Sequence, residues 1–265
     1  MSDVAIVTLC SAPRLGHLRN QLRATAGMAR VVVWVGDDDA PDLDAERVVR
    51  VAPGAAGLRL AAARNAGARA AEALGARLLI FLDADCIPGP ELVGRYRDAA
   101  GQHPDAVLCG PVTYLPAEAA LDAASLRAAT APHAARPAPA AGALQRAAPE
   151  EYPLFWSLSF ATTPAVWRAV GGFDERYEGY GGEDTDFAFS LRRASIPMIW
   201  VGGADAYHQY HETSSPPWQH LDDILRNGAL FARKWGEWPM TGWLEAFERA
   251  GAIVSGDDGW RRASA

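Results

Sequence analysis

Short apolar runs alternate with segments of helical spacing through the first half of the chain. "VAIVTLC" (Val4 to Cys10) is β-branched and apolar, the pattern of a parallel strand covered on both faces. "HLRNQLRATAG" then places Leu18 and Leu22 on one helical face, with Gly27 as a stop. "RVVVWVGDDD" and "RVVRVA" read as a second and a third strand. The alanine-rich "GLRLAAARNAGARAAEALGA" reads as a helix closed by Gly75, and "RLLIFLDADCIP" as a fourth strand. "GPELVGRYRDAAGQ" is helical and "AVLCGPVTYL" strand-like. This alternation predicts an α/β fold, a mostly parallel sheet flanked by helices.

The pattern then changes. Pro116 to Pro149 is rich in Ala and Pro with few large apolar residues, and reads as a mobile loop over residues 116–149. Leu121 and Leu126 mark a short helix within it. The aromatic and glycine-rich "YPLFWSLSFATTPAVWRAVGGFDERYEGYGGED" is expected to turn back over the end of the sheet. "PMIWVGG" is strand-like, and two amphipathic helices around "GEWPMTG" close the chain. With no repeat and no clear linker, the expected organisation is one domain over residues 1–215 and a C-terminal helical extension over residues 216–265, packed on it.

The 265 residues, about half of them apolar, supply a substantial core. A formal net charge of -7 argues against a nucleic-acid partner, which selects a basic face. Three scattered cysteines without CxxC spacing indicate reduced thiols. No apolar run reaches the ~20 residues of a membrane span. "MSDVAIVTLC" lacks the basic start of a secretory signal. The expectation is a cytoplasmic protein; the tryptophan-rich C-terminal part leaves peripheral membrane contact open.

Chemistry concentrates in two acidic clusters. Asp83 and Asp85 follow five apolar residues, Leu78 to Leu82, at the C-terminal end of a strand. Open α/β sheets bind ligands beyond such ends. Two carboxylates two residues apart repel each other, and a divalent cation with oxygen ligands, Mg²⁺ or Mn²⁺, relieves that. The second cluster, Glu183, Asp184 and Asp186 in "GYGGEDTDFAFSLRRA", sits at a helix start, where acids suit the dipole in any case. Its glycines would let the backbone pass close beneath a ligand. Haloacid-dehalogenase-like phosphatases also place DxD after a strand, but with Thr or Val two residues beyond the second Asp, where this chain has Ile87. A nucleotidyltransferase would open with a glycine-rich basic loop, of which "TLCSAPRLG" is a poor version. A non-catalytic nucleotide-sugar-binding module is the third alternative.

"AARNAGARAAEALGARLLIFLDADCIPGPELV" resembles the core of family-2 glycosyltransferases, with an "ARN.G" helix before the DxD strand. "VGGFDERYEGYGGEDTDFAFSLRRA" resembles the galactosyltransferase module of β-1,4-galactosyltransferases, polypeptide N-acetylgalactosaminyltransferases and bacterial chondroitin-type polymerases. The resemblance implies a GT-A, Rossmann-like fold and transfer from a nucleotide-sugar, preferably a UDP-sugar, to a glycan, lipid or small-molecule acceptor. It implies Asp83 at the ribose or metal and Asp85 on the metal. A further metal ligand about 25 residues after the Glu of GED falls on His208, with His211 as its rival. Thr8 is expected at the base or ribose, Arg14 at the phosphates, Asp37 at the uracil or ribose, and Arg64 toward the nucleotide. Asp184 is expected as general base and Glu183 as its acceptor-orienting partner. An acid at 184, where retaining relatives carry Asn, implies inversion. Tyr180 replaces a Trp of the galactosyltransferase branch and is expected to stack on a sugar. Ser157 and Leu158 stand where that branch has a Gly-Gly pair, so galactose is not implied.

Overall fold

The computed structural model describes residues 3–257 and 259–263. In chain order the elements are β1 (Val4–Cys10), α1 (Leu15–Ala24), β2 (Ala29–Val35), β3 (Arg47–Val51), α2 (Leu60–Ala73), β4 (Leu78–Leu82), β5 (Cys86–Pro88) and α3 (Leu92–Gln102). They continue as β6 (Val107–Cys109), β7 (Val112–Tyr114), α4 (Ala123–Ala128), β8 (Leu144–Arg146), β9 (Ser159–Thr162), α5 (Pro164–Val170) and α6 (Glu183–Arg193). The chain ends with β10 (Met198–Val201), β11 (Ala206–His208), α7 (Leu221–Trp235), α8 (Thr241–Arg249), β12 (Ile253–Gly256) and β13 (Gly259–Arg262).

The main sheet has the order β3-β2-β1-β4-β9-β6-β10-β8. Its first four strands are parallel, and β1, β2 and β4 among them are apolar runs buried along nearly their whole length. α2 packs closely on one face: a Cβ on Gly67 would lie 2.4 Å from Val7. The aromatic segment does more than turn back over the sheet end. Its residues 159–162 form β9, which enters the centre of the sheet antiparallel to both β4 and β6. The 116–149 stretch, with so little to bury by composition, contributes α4, the edge strand β8 and three buried side chains, Leu126, Arg136 and Ala147.

A second, three-stranded sheet, β5-β11-β7, sits beyond the C-terminal end of β4. Its register sets His208 opposite Cys86, so the histidine lies beside Asp85. The amphipathic helices α7 and α8 bury Leu221, Ile224, Leu244 and Phe247 in a small cluster with the β12–β13 hairpin. α7 is tied to α6 by buried Asp186, which accepts hydrogen bonds from Tyr177, Lys234 and Trp235 at 3.2, 2.8 and 2.8 Å.

Candidate active site

A cleft of about 1350 Å³ opens beyond the C-terminal ends of β1 and β4. Arg14, Arg64, Asp83, Asp85, Tyr180, Glu183, Asp184 and His208 all line it. Thr8 and Asp37 do not. Thr8 is buried and donates a 2.7 Å hydrogen bond to Gln21 Oε1. Gln21 Nε2 in turn donates to the carbonyls of Asp83 and Cys86, at 2.7 and 2.8 Å. Thr8 is thus a strut beneath the Asp83–Asp85 turn, not a group facing a base. A wholly buried strand hides which face each side chain takes, hence the difference from the sequence reading. Asp37 is exposed beyond β2, where its carbonyl accepts from Arg50.

The two aspartates face different ways. Asp85 meets His208 Nε2 at 3.6 Å, His211 Nε2 at 3.4 Å and Arg14 Nε at 3.5 Å. One ligand atom from each of Asp85, His208 and His211 lies within 4.8 Å of the others, a set suited to a divalent cation such as Mn²⁺. Both histidines belong to it, and Asp83 does not. Burial alone would raise the Asp85 carboxyl, but contact with His211 and the charges of His208, His211 and Arg14 outweigh it and hold it below its ordinary value. Burial lowers His208, favouring the neutral imidazole that ligates metals.

Asp83 turns instead to Arg64, whose Nη2 lies 3.4 Å from Oδ1. Nη1 of the same guanidinium lies 3.5 Å from Glu183 Oε1. Burial raises both carboxyls to about 7. Neighbouring acids add to the rise and Arg64 opposes it. Arg64 comes from α2, whose next residue has another task. Asn65 donates to Phe173 O at 2.9 Å and accepts from Phe173 N at 2.9 Å, locking the loop before the glycine run.

Glu183 and Asp184 open α6. Asp184 Oδ2 accepts from Ser157 N at 3.0 Å. Its Oδ1 is buried and has no hydrogen-bond partner among the described residues. Gly179, Gly181 and Gly182 take left-handed φ values of 71°, 88° and 90°. The space that their missing side chains leave is claimed by protein: a Cβ would lie 2.4 Å from Asp223 at Gly179 and 2.8 Å from Met240 at Gly181. The glycines therefore serve the packing of the C-terminal helices under the site. Tyr180 stacks on His220 with ring centroids 4.3 Å apart, and its backbone N–H donates to Asp223 at 3.1 Å.

Sequence reasoning missed Gln21, Asn65 and Asp223. Only Asn65 carried a signal, as a polar residue inside an alanine-rich helix.

This mixed sheet, with acids at its strand ends and a His/Asp cluster beside them, fits the GT-A type that the sequence resemblance implies. Residues 20–142 match the family model Glycosyl transferase family 2, and residues 141–212 match one described as N-terminal domain of galactosyltransferase. The chain belongs with the family-2-like glycosyltransferases of GT-A fold. It is similar to validoxylamine A glucosyltransferase of Streptomyces hygroscopicus subsp. jinggangensis (strain 5008), 32% identical over 244 residues, covering 80% of this chain and 55% of that protein. The enzyme of the same name from subsp. limoneus is 32% identical over 201 residues, covering 67% of this chain and 42% of that protein. The chain thus spans about half the length of these curated relatives. Among solved structures, S. aureus TarS 1–349 superposes with a TM-score of 0.57 at 12% identity, covering 86% of this chain and 64% of that one. GalNAc-T7 with UDP, GalNAc and Mn²⁺ gives 0.52 at 13% identity, covering 86% and 50%. Identities this low show the shared fold.

Proposed function

We propose that the chain is a metal-dependent, inverting glycosyltransferase that moves a hexose or N-acetylhexosamine from a UDP-sugar to a hydroxyl of a glycan, lipid or small molecule. Residues 1–215 form its catalytic domain and residues 216–265 an extension packed on it. It works in the cytoplasm, without a nucleic-acid partner; no helix of the described residues is long and apolar enough to cross a membrane. UDP is favoured because GalNAc-T7 was crystallised with UDP and Mn²⁺ and TarS with UDP-GlcNAc. The name of the curated relatives favours glucose as the sugar and validoxylamine A as the acceptor.

One observation carries the reading. Asp184 offers a buried, unclaimed carboxylate oxygen in the same cleft as the Asp85, His208 and His211 cluster. These three residues would hold the cation, which when bound stabilises charge on the leaving diphosphate. Arg14, beside them, would contact phosphate oxygens. Asp184 Oδ1 takes the proton of the acceptor hydroxyl as its oxygen bonds to the anomeric carbon. The bond from that carbon to the diphosphate oxygen breaks, and its electron pair leaves with the diphosphate. The Ser157 N–H bond to Oδ2 fixes the carboxylate and leaves Oδ1 without a protein partner among the described residues. Glu183, held by Arg64, orients the acceptor. A screen of donor hydrolysis across UDP- and GDP-sugars, with and without Mn²⁺, tests this. Metal-dependent release of UDP is expected, and no turnover of any donor would overturn it.

A further inference from the structure

Arg136 comes from the Ala/Pro-rich stretch and is only 6% exposed. No group among the described residues accepts a hydrogen bond from its Nε, Nη1 or Nη2. Its guanidinium lies over two indole rings, 5.1 Å from Trp156 and 5.2 Å from Trp200. Trp200 is fully buried, on β10 of the main sheet. Trp156 lines the cleft, and the next residue holds Asp184 through its N–H.

Burying a cation with no hydrogen-bonding partner is expensive, and an apolar side chain of similar volume is often neutral or better for stability. Arg136 therefore has no claim as a stabiliser of the fold. What it does hold is Trp156. A planar guanidinium lying over both rings ties the half-buried Trp156 indole to the fully buried Trp200, and Arg does this better than Lys. The segment around it is pinned as well. Ala131 N donates to Thr113 Oγ1 at 3.0 Å, His133 N to Val112 O at 2.9 Å, and the His133 ring meets the Trp156 ring edge-on at 5.1 Å.

We propose that Arg136 is a positioning residue for the acceptor, fixing the Trp156 indole as the cleft wall beside Asp184. This rests on the reading of Asp184 as the acceptor's base. The wall it sets suits the apolar face of a sugar ring.

The test uses Arg136→Met in the full chain, with UDP-glucose as donor probe and validoxylamine A as acceptor probe. The acceptor KM should rise about tenfold (~1.4 kcal/mol). The donor KM should stay within twofold, and Tm should hold or rise. Arg136→Met should add nothing further in a Trp156→Ala background. Acrylamide quenching of Trp156 emission, read as the difference between each protein and its Trp156→Phe counterpart, should increase in Arg136→Met. Unchanged quenching overturns the proposal. So do equal rises in both KM values accompanied by a lower Tm, which would mark a merely structural role. If wild-type protein turns over no donor, the functional reading fails, while the quenching comparison still decides whether Arg136 fixes Trp156.

Discussion

Arg64 and Glu183 face each other across the floor of the cleft, Nη1 3.5 Å from Oε1, with both side chains withdrawn from solvent. The other terminal nitrogen of the same guanidinium reaches Asp83. One arginine thus joins the end of β4 to the start of α6. Arg64→Gln should cost about 3 kcal/mol in a denaturant titration, since it strips a buried partner from the acids. It should also slow transfer about a hundredfold by misplacing both clusters. Normal stability with lost activity would show that Arg64 acts on the substrate alone.

The Glu183 carboxyl, raised from 4.5 to about 7 by burial and then by Asp184, carries a pH signature. An acid whose folded value is raised holds its proton more tightly when folded. Its contribution is therefore most favourable below about pH 4.5 and is lost as the pH climbs through about 7. Glu183→Gln removes that loss. The Tm of the variant relative to wild type should rise across this window and level off above it. A difference that is flat with pH would contradict the assignment.

Asp184→Asn keeps the shape and the Ser157 contact but removes the proton acceptor. Transfer should fall about a thousandfold, within the usual range for a general base. Affinity for UDP, followed by calorimetry, should stay within twofold. A parallel loss of UDP affinity would place Asp184 on the nucleotide instead.

UDP should raise Tm only when Mn²⁺ or Mg²⁺ is present. Ligand at a hundred times its Kd adds about 2.7 kcal/mol. His208→Ala and His211→Ala should each shrink that metal-dependent shift, because both imidazoles belong to the cluster around Asp85. A full shift in either variant would remove that histidine from the ligand set.

Thr8→Val preserves volume while deleting the hydrogen bond to Gln21. A loss of about 1 kcal/mol is expected. The donor KM should rise as the Asp83–Asp85 turn loosens. An unchanged donor KM would make Thr8 a core residue only.

Much of this was legible because burial on both faces writes an apolar run into the chain. β1, β2 and β4 are such runs, and the acids that follow β4 mark the strand end where ligands gather. β9 was not legible, because "SFAT" is four residues long and its Ser and Thr mimic a loop, although the sheet buries all four. The site divides the same way. Asp85, Glu183 and Asp184 announce themselves as clustered charge, and His208 only through the family resemblance. Gln21 sits on an ordinary helix, and its two bonds to the turn exist only across space. Asp37 shows the converse: an acid at a strand end, yet outside the cleft.

The central place of β9 governs how the chain must be made. Its neighbours β4 and β6 both precede it, and it reaches them after an intervening stretch that includes the whole 116–149 segment. Until residue 162 has been synthesised, β4 has an open hydrogen-bonding edge in the middle of the future sheet. Such non-local closure is slow and leaves an aggregation-prone border exposed meanwhile. The two family matches meet near residue 142, but that junction is no seam in the folded molecule. A fragment ended there would carry the Asp83–Asp85 turn on a sheet that lacks β9, so neither half completes the main sheet alone.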